Sequence, residues 1–173
     1  MKRKDVFRLL VVAALCSGGH HIYAQGEASM SAERGSIRLN AYLEARRAFD
    51  GGDLERGEDR LKSITFPPDS VEAYIEAASM LVHAAFEFRR EGTPEMSAAI
   101  AQRALRQLDK AQKKLHGGDH ATLVTVQTLA GTIQEHLLGN FEAAKRHYAA
   151  AAELAPGEGL AGDNLKRVNA PRK

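Results

Sequence analysis

The sequence predicts an all-α fold across residues 36–168, and three observations carry that expectation. Between turn-forming clusters, apolar residues recur three and four positions apart, the period of a helix with one buried face. No stretch alternates apolar and polar residues as a half-buried strand does. Alanine is abundant, aromatics make up only 6% of the chain and Trp is absent, a combination that favours helices. At 173 residues, 44% hydrophobic and 27% charged, the chain has the size and composition of one globular domain with a real core.

The first 24 residues follow a different grammar. A basic start, MKRKDVFR, leads into a short apolar run, LLVVAALC, and then into SGGHHIYA with the small residue Ala24 at its end. That order is the order of a secretory signal, although Ile22 is bulkier than the usual residue two positions before the cut. The apolar run is shorter than the roughly 20 residues that span a bilayer, so no stable membrane anchor is expected from it. An amphipathic N-terminal helix is the other reading, and Gly18 and Gly19 would break it. Cys16 is preceded by Ala13, Ala14 and the bulky Leu15, which departs from the small residue that a lipid-attachment signal places before its cysteine.

Cleavage after Ala24 changes the charge argument. It removes Lys2, Arg3, Lys4, Arg8 and Asp5, so the chain's 24 basic and 22 acidic residues become 20 and 21. The basicity belongs to the targeting segment, and a nucleic-acid partner, which needs a basic face, loses its support. The mature part has no cysteine, hence neither disulfides nor thiolate metal ligands. The expected location is outside the cytoplasm, periplasmic or extracellular.

Residues 25–35, QGEASMSAERG, are small and polar and are expected to form a flexible lead-in. The first helix, about 36–50, runs to the turn Gly51-Gly52-Asp53, and the second, 53–65, to Phe66-Pro67-Pro68-Asp69. Asp69 heads a third helix, 69–91, where an acid suits the helix dipole. Thr93 is the candidate cap of the fourth, 95–115, with Pro94 in the tolerated first turn. After Gly117-Gly118, Asp119 opens the fifth, 120–138; Gly139-Asn140 separates it from the sixth, 141–154, which Pro156 ends. A short seventh, 159–168, and a tail, 169–173, complete the chain. Short connections make sequential helices antiparallel, giving three hairpins.

The hairpins share a spacing. From Gly139, Ala144, Tyr148 and Ala151 follow at five, nine and twelve residues, and Pro156 at seventeen. From Gly52 the same offsets fall on Gly57, Leu61 and Ile64; from Gly92, on Ser97, Ala101 and Ala104. Ahead of these turns lie Ala45 and Ala48 in the first hairpin, and Leu81, Ala84, Ala85 and Phe88 in the second. Small residues at such intervals let helix backbones approach while an aromatic fills the space beside them. The pattern resembles the tetratricopeptide repeat (TPR) over residues 36–156. Turn glycines 40 and 47 residues apart depart from that family's unit of about 34. In the third hairpin Gly131, Thr132 and Glu135 stand where Leu, Gly and Tyr are typical, and a slide of two residues would bring Leu129, Ala130 and Ile133 into place. A plain helical bundle with alanine-rich hairpins is the competing architecture.

The resemblance implies a short right-handed solenoid of about three hairpins with a C-terminal capping helix. Its concave surface would be lined by the first helix of each pair and would hold a protein or peptide. Carried across, the inward positions are Leu39, Tyr42, Arg46, Phe49 and Asp50 in the first hairpin and Ser79, Val82, Phe86, Arg89 and Arg90 in the second. Tyr42, Phe49 and Phe86 are candidate contacts of the type that dominates interfaces. Arg46, Arg89 and Arg90 are candidate partners of a carboxylate. The competing assignment puts the aromatics in the core and the arginines in water. An adaptor or scaffold of the cell envelope is the function implied, against a structural subunit that self-associates, and, more weakly, an accessory domain of an enzyme.

Catalytic chemistry finds little footing in the residues. His116 and His120 flank Gly117-Gly118-Asp119, but the two glycines deny them the single helix face that gives metal-ligand spacing its meaning. His136 and His147 each lack a carboxylate in a recognised arrangement, and His147 is expected on an outer face; His83 lies among apolar residues and reads as an interior or edge histidine, not a ligand. Glu55, Glu58 and Asp59 read as a solvated helix face. No glycine-rich phosphate loop follows a strand. No catalytic residue, metal ligand or cofactor is therefore expected. If the signal is cut as read, the intact mass of protein purified from its host corresponds to a chain beginning at Gln25; a mass that includes Met1 contradicts export.

Overall fold

A computed structural model describes residues 26–65, 69–115, 119–156 and 159–170, all of them in helices or the connections between them. The segment expected to be a secretory signal, Pro67-Pro68 and the last three residues lie outside the described residues. Seven helices follow in order: α1 Gly26–Asp50, α2 Leu54–Lys62, α3 Val71–Arg90, α4 Pro94–Lys114, α5 His120–His136, α6 Phe141–Leu154 and α7 Gly159–Asn169. No strand occurs among the described residues.

Two boundaries differ from expectation by three residues or more. Helix α1 starts at Gly26, so the stretch expected as a flexible lead-in is helical from its second residue. Ala28, Met30, Ala32, Glu33 and Arg34 are strong helix formers, and they outweigh Gly35. Helix α2 stops at Lys62, three residues early. There the Ser63 and Thr65 hydroxyls donate back to the carbonyls of Arg60 (2.7 Å) and Lys62 (2.8 Å), an alternative to continuing the helix.

The helix starts are capped as their sequences dictate. Asp53, Ser70, Asp119 and Asn140 each accept a backbone N–H three residues on, at 3.0 to 3.2 Å. Ser70, not Asp69, caps α3; Asp69 sits at φ 60° and accepts the Tyr74 hydroxyl at 2.8 Å. Thr93 makes no side-chain cap on α4. Its hydroxyl donates instead to the Phe88 carbonyl at 2.8 Å, tying the end of α3.

Consecutive helices pair: α1 with α2, α3 with α4, and α5 with α6, while α7 lies on α6. The pairs are antiparallel. Arg60 of α2 reaches back to Glu44 of α1 at 3.2 Å, and the earlier Gly57 lies against the later Phe49. Gly52, Gly92 and Gly139 take positive φ in the three hairpin turns, a conformation open to glycine at no steric cost. In the first two turns a backbone bond spans five residues, from Asp53 to Ala48 (2.8 Å) and from Thr93 to Phe88 (3.0 Å). In the third it spans six, from Asn140 to Gln134 (2.7 Å). That extra residue corrects the expected slide of two to a slide of one. Gly131 thereby takes the place held by Ala45 and Ala85 in the other hairpins.

The hairpin cores are small residues against single large ones. Ala45, Ala78, Ala84, Ala85, Ala101, Ala104 and Ala111 are all fully buried, as are Phe49, Leu61, Leu81 and Ile100. Phe49 covers the backbone of Gly57, and Tyr148 covers that of Gly131. Ala144, Tyr148 and Val168 form a second cluster with Phe141 and Leu165, which seats α7.

A methyl group on Gly131 would fall 2.5 Å from Tyr148 Cε1, and one on Gly57 would penetrate the Phe49 ring. Gly131→Ala and Gly57→Ala are therefore expected to destabilise by about 1–3 kcal/mol. Gly162→Ala in α7, where nothing lies within 4 Å, is expected to be neutral or to stabilise by about 0.5–1 kcal/mol. Denaturant melts of the three variants check the contrast.

Candidate functional site

The odd-numbered helices touch through their side chains. Arg38 of α1 pairs with Glu76 of α3 at 2.9 Å. Phe49 meets Phe88 edge to face, with ring centroids 6.4 Å apart. Arg89 of α3 reaches the end of α5, and Arg167 of α7 reaches Glu135 of α5. The face expected to bind a partner is thus built from α1, α3 and α5, and its residues divide into three groups.

Phe49, expected as a contact, is fully buried, because α1 needs a large side chain over Gly57 and Phe88. Val82 is likewise buried. Arg46 and Arg89 are committed within the protein. Arg46 Cζ lies 4.0 Å above the Phe88 ring, and its guanidinium bonds Asp50 (3.2 Å), Glu87 (3.1 Å) and Glu91. Burial opposes its charge, but the bonds to Glu91 and Asp50 outweigh burial and hold its pKa above the ordinary arginine value. Arg89 donates to the carbonyls of His136 and Leu137, the latter at 3.2 Å, closing the C-terminus of α5. Tyr42 is half-buried and donates to Glu87 at 2.6 Å; burial and that carboxylate push its phenol well up.

The third group faces outward. Leu39 and Leu43 are 58% and 44% exposed, Arg90 is exposed, and Phe86 is partly exposed between them and α5. His83 is exposed as well, 3.5 Å from Glu87.

Two buried carboxylates escaped the sequence reading. Glu58, expected on a solvated face, is buried; it accepts Arg103 at 2.5 Å and the Gln107 amide, joining α2 to α4. The signal was its position three residues before Leu61, on the inner face of α2. Glu135 is buried between α5, α6 and α7, where Tyr148 donates at 3.0 Å and Arg167 forks it, with one contact at 2.8 Å. Burial raises the Glu135 carboxyl, and Arg167, His136 and Tyr148 together pull it below its ordinary value. Burial first, and Glu135 with it, push Tyr148 up to about 12. His147, expected outside, is half-buried with Nδ1 2.7 Å from Gln127.

Among the described residues no group of three or more His, Cys, Asp or Glu is placed to hold a metal ion, and no helix is long and apolar enough to cross a membrane. An open cleft of about 520 Å³ lies elsewhere, between the start of α6 and the end of α7, lined by Asn140, Phe141, Lys145 and Val168. No protein-family model matches the chain, and no curated protein does.

Arg167→Met leaves the buried Glu135 with Tyr148 and His136 alone, and an expected cost of about 1–3 kcal/mol at neutral pH. The folded pKa of Glu135 lies below its unfolded value, so its contribution is complete above the unfolded value and lost as pH falls through the folded one. Stability measured against pH is expected to lose part of its acid slope in this variant.

Proposed function

We propose that the chain is an exported, TPR-like array of three hairpins and a capping helix that binds a protein or peptide on the face of α1, α3 and α5. No cofactor or catalysis enters this reading. The observation that carries it is the run of side-chain contacts along the odd helices, which leaves Leu39, Leu43, Phe86 and Arg90 on one side of α1 and α3. Exposed apolar side chains beside a guanidinium are the surface chemistry of an interface. Arg46 and Arg89 serve as joints between helices, and Arg90 is the arginine left for a partner's carboxylate or carbonyl.

A structural subunit is the second reading, and one observation favours it. At 1.5 Å per residue, the 25 residues of α1 extend about 38 Å and the nine of α2 about 14 Å. Helix α2 is therefore too short to match the length of α1, and Ile37 of α1 is 53% exposed.

Crosslinking and affinity capture from envelope extracts, with light scattering on the purified protein, separates the two. For an adaptor, the double substitution Leu39→Glu with Leu43→Glu, and Arg90→Glu alone, are expected to lose a captured partner that Arg106→Glu, on exposed α4 surface, retains. For a self-associating subunit, light scattering reports an oligomer that the leucine substitutions dissolve. A clean monomer that captures nothing above control overturns both.

A further inference from the structure

Three elements converge on the C-terminal end of α5. From α3, Arg89 donates to the carbonyls of His136 and Leu137. From α7, Arg167 forks Glu135, and from α6 the Tyr148 hydroxyl donates to the same carboxylate. The His136 ring, one-third exposed, has Nε2 3.5 Å from Glu135 Oε2. One buried carboxylate thus faces a guanidinium and an imidazole, with the Arg89 guanidinium on the neighbouring carbonyls, and the imidazole is the member of this cluster whose charge changes near neutral pH.

We propose that this junction is an acid-responsive joint, in which protonation of His136 loosens α7 and the third hairpin from the second. A second cation would then share one carboxylate. The imidazolium competes with Arg167 for Glu135 Oε2, and it stands beside Arg89 where that residue holds the end of α5. Helix α7 keeps only its apolar seat of Val168 and Leu165 once Arg167 is displaced. Burial lowers the His136 pKa, Arg167 and Arg89 act in the same direction, and Glu135 opposes them. With the folded value below the unfolded one, the neutral ring's contribution is complete above the unfolded value and declines as pH falls from it toward the folded value. Glu135 titrates in a lower window, below its ordinary range.

Hydrogen exchange of the mature chain at about pH 7.5 and about pH 5.5, corrected for intrinsic rates, tests the joint. Amides of α7 and the last turn of α5 are expected to lose protection at the lower pH. His136→Gln is expected to remove that difference, while His147→Gln, which alters the other half-buried histidine, preserves it. Protection that is the same at both pH values, or a difference that survives His136→Gln, overturns the proposal. Should His136→Gln not fold, the wild-type NMR titration decides: α7 amide shifts must follow the His136 ring and not the His147 ring.

Discussion

Two helices approach only as closely as their contact residues allow, and in this chain two of the approaches are made over glycine. Phe49 lies on Gly57 in the first hairpin and Tyr148 on Gly131 in the third, with the aromatic on opposite members of the pair. The second hairpin achieves its approach with Ala78, Ala85, Ala101 and Ala104, none of which is exposed. Close crossing makes a thin core efficient, because each large ring is enclosed by backbone as well as by side chains. It also fixes register, since a ring can lie only where a side chain is missing.

Between hairpins, the edge-to-face pair of Phe49 and Phe88 is joined by contacts of another kind. Glu58 with Arg103 and Gln107, Arg46 with Glu87 and Glu91, Gln127 with Gln112, and Arg89 on the end of α5 are all polar. Breaking one partner of a buried charge pair is costly, so such contacts hold orientation more than they add stability. This division explains why arginines that sequence alone offers to a partner are already occupied. They join one pair of helices to the next, and the side chains left exposed beside them are the apolar Leu39 and Leu43.

Much of the fold was legible because its signals are local. Gly52, Gly92 and Gly139 stand where chain reversal needs positive φ, and Asp53, Asp119 and Asn140 cap the helices that follow. The shift of α5 was legible but its size was not: the sequence pattern asked for two residues, and the third turn spans one more than the others. Neither was the face of Glu58 or Glu135: a glutamate reads as solvated until a guanidinium from a helix about 30 to 45 residues away is placed beside it. Of the candidate contact residues, Phe49 and Arg46 have the right types in the right helix, and tertiary packing turned both inward.

The hairpins are set by ring-over-backbone contacts, and the exposed face of α1 and α3 follows from that arrangement. A double-mutant cycle between Gly131→Ala and Tyr148→Leu, read by equilibrium unfolding, tests this most directly. If the added methyl is harmful because of the ring, Gly131→Ala costs far less in the Tyr148→Leu background, a coupling of about 1–2 kcal/mol. Additive costs in the two backgrounds would contradict the contact on which the third hairpin, and the seat of α7 beside it, are built.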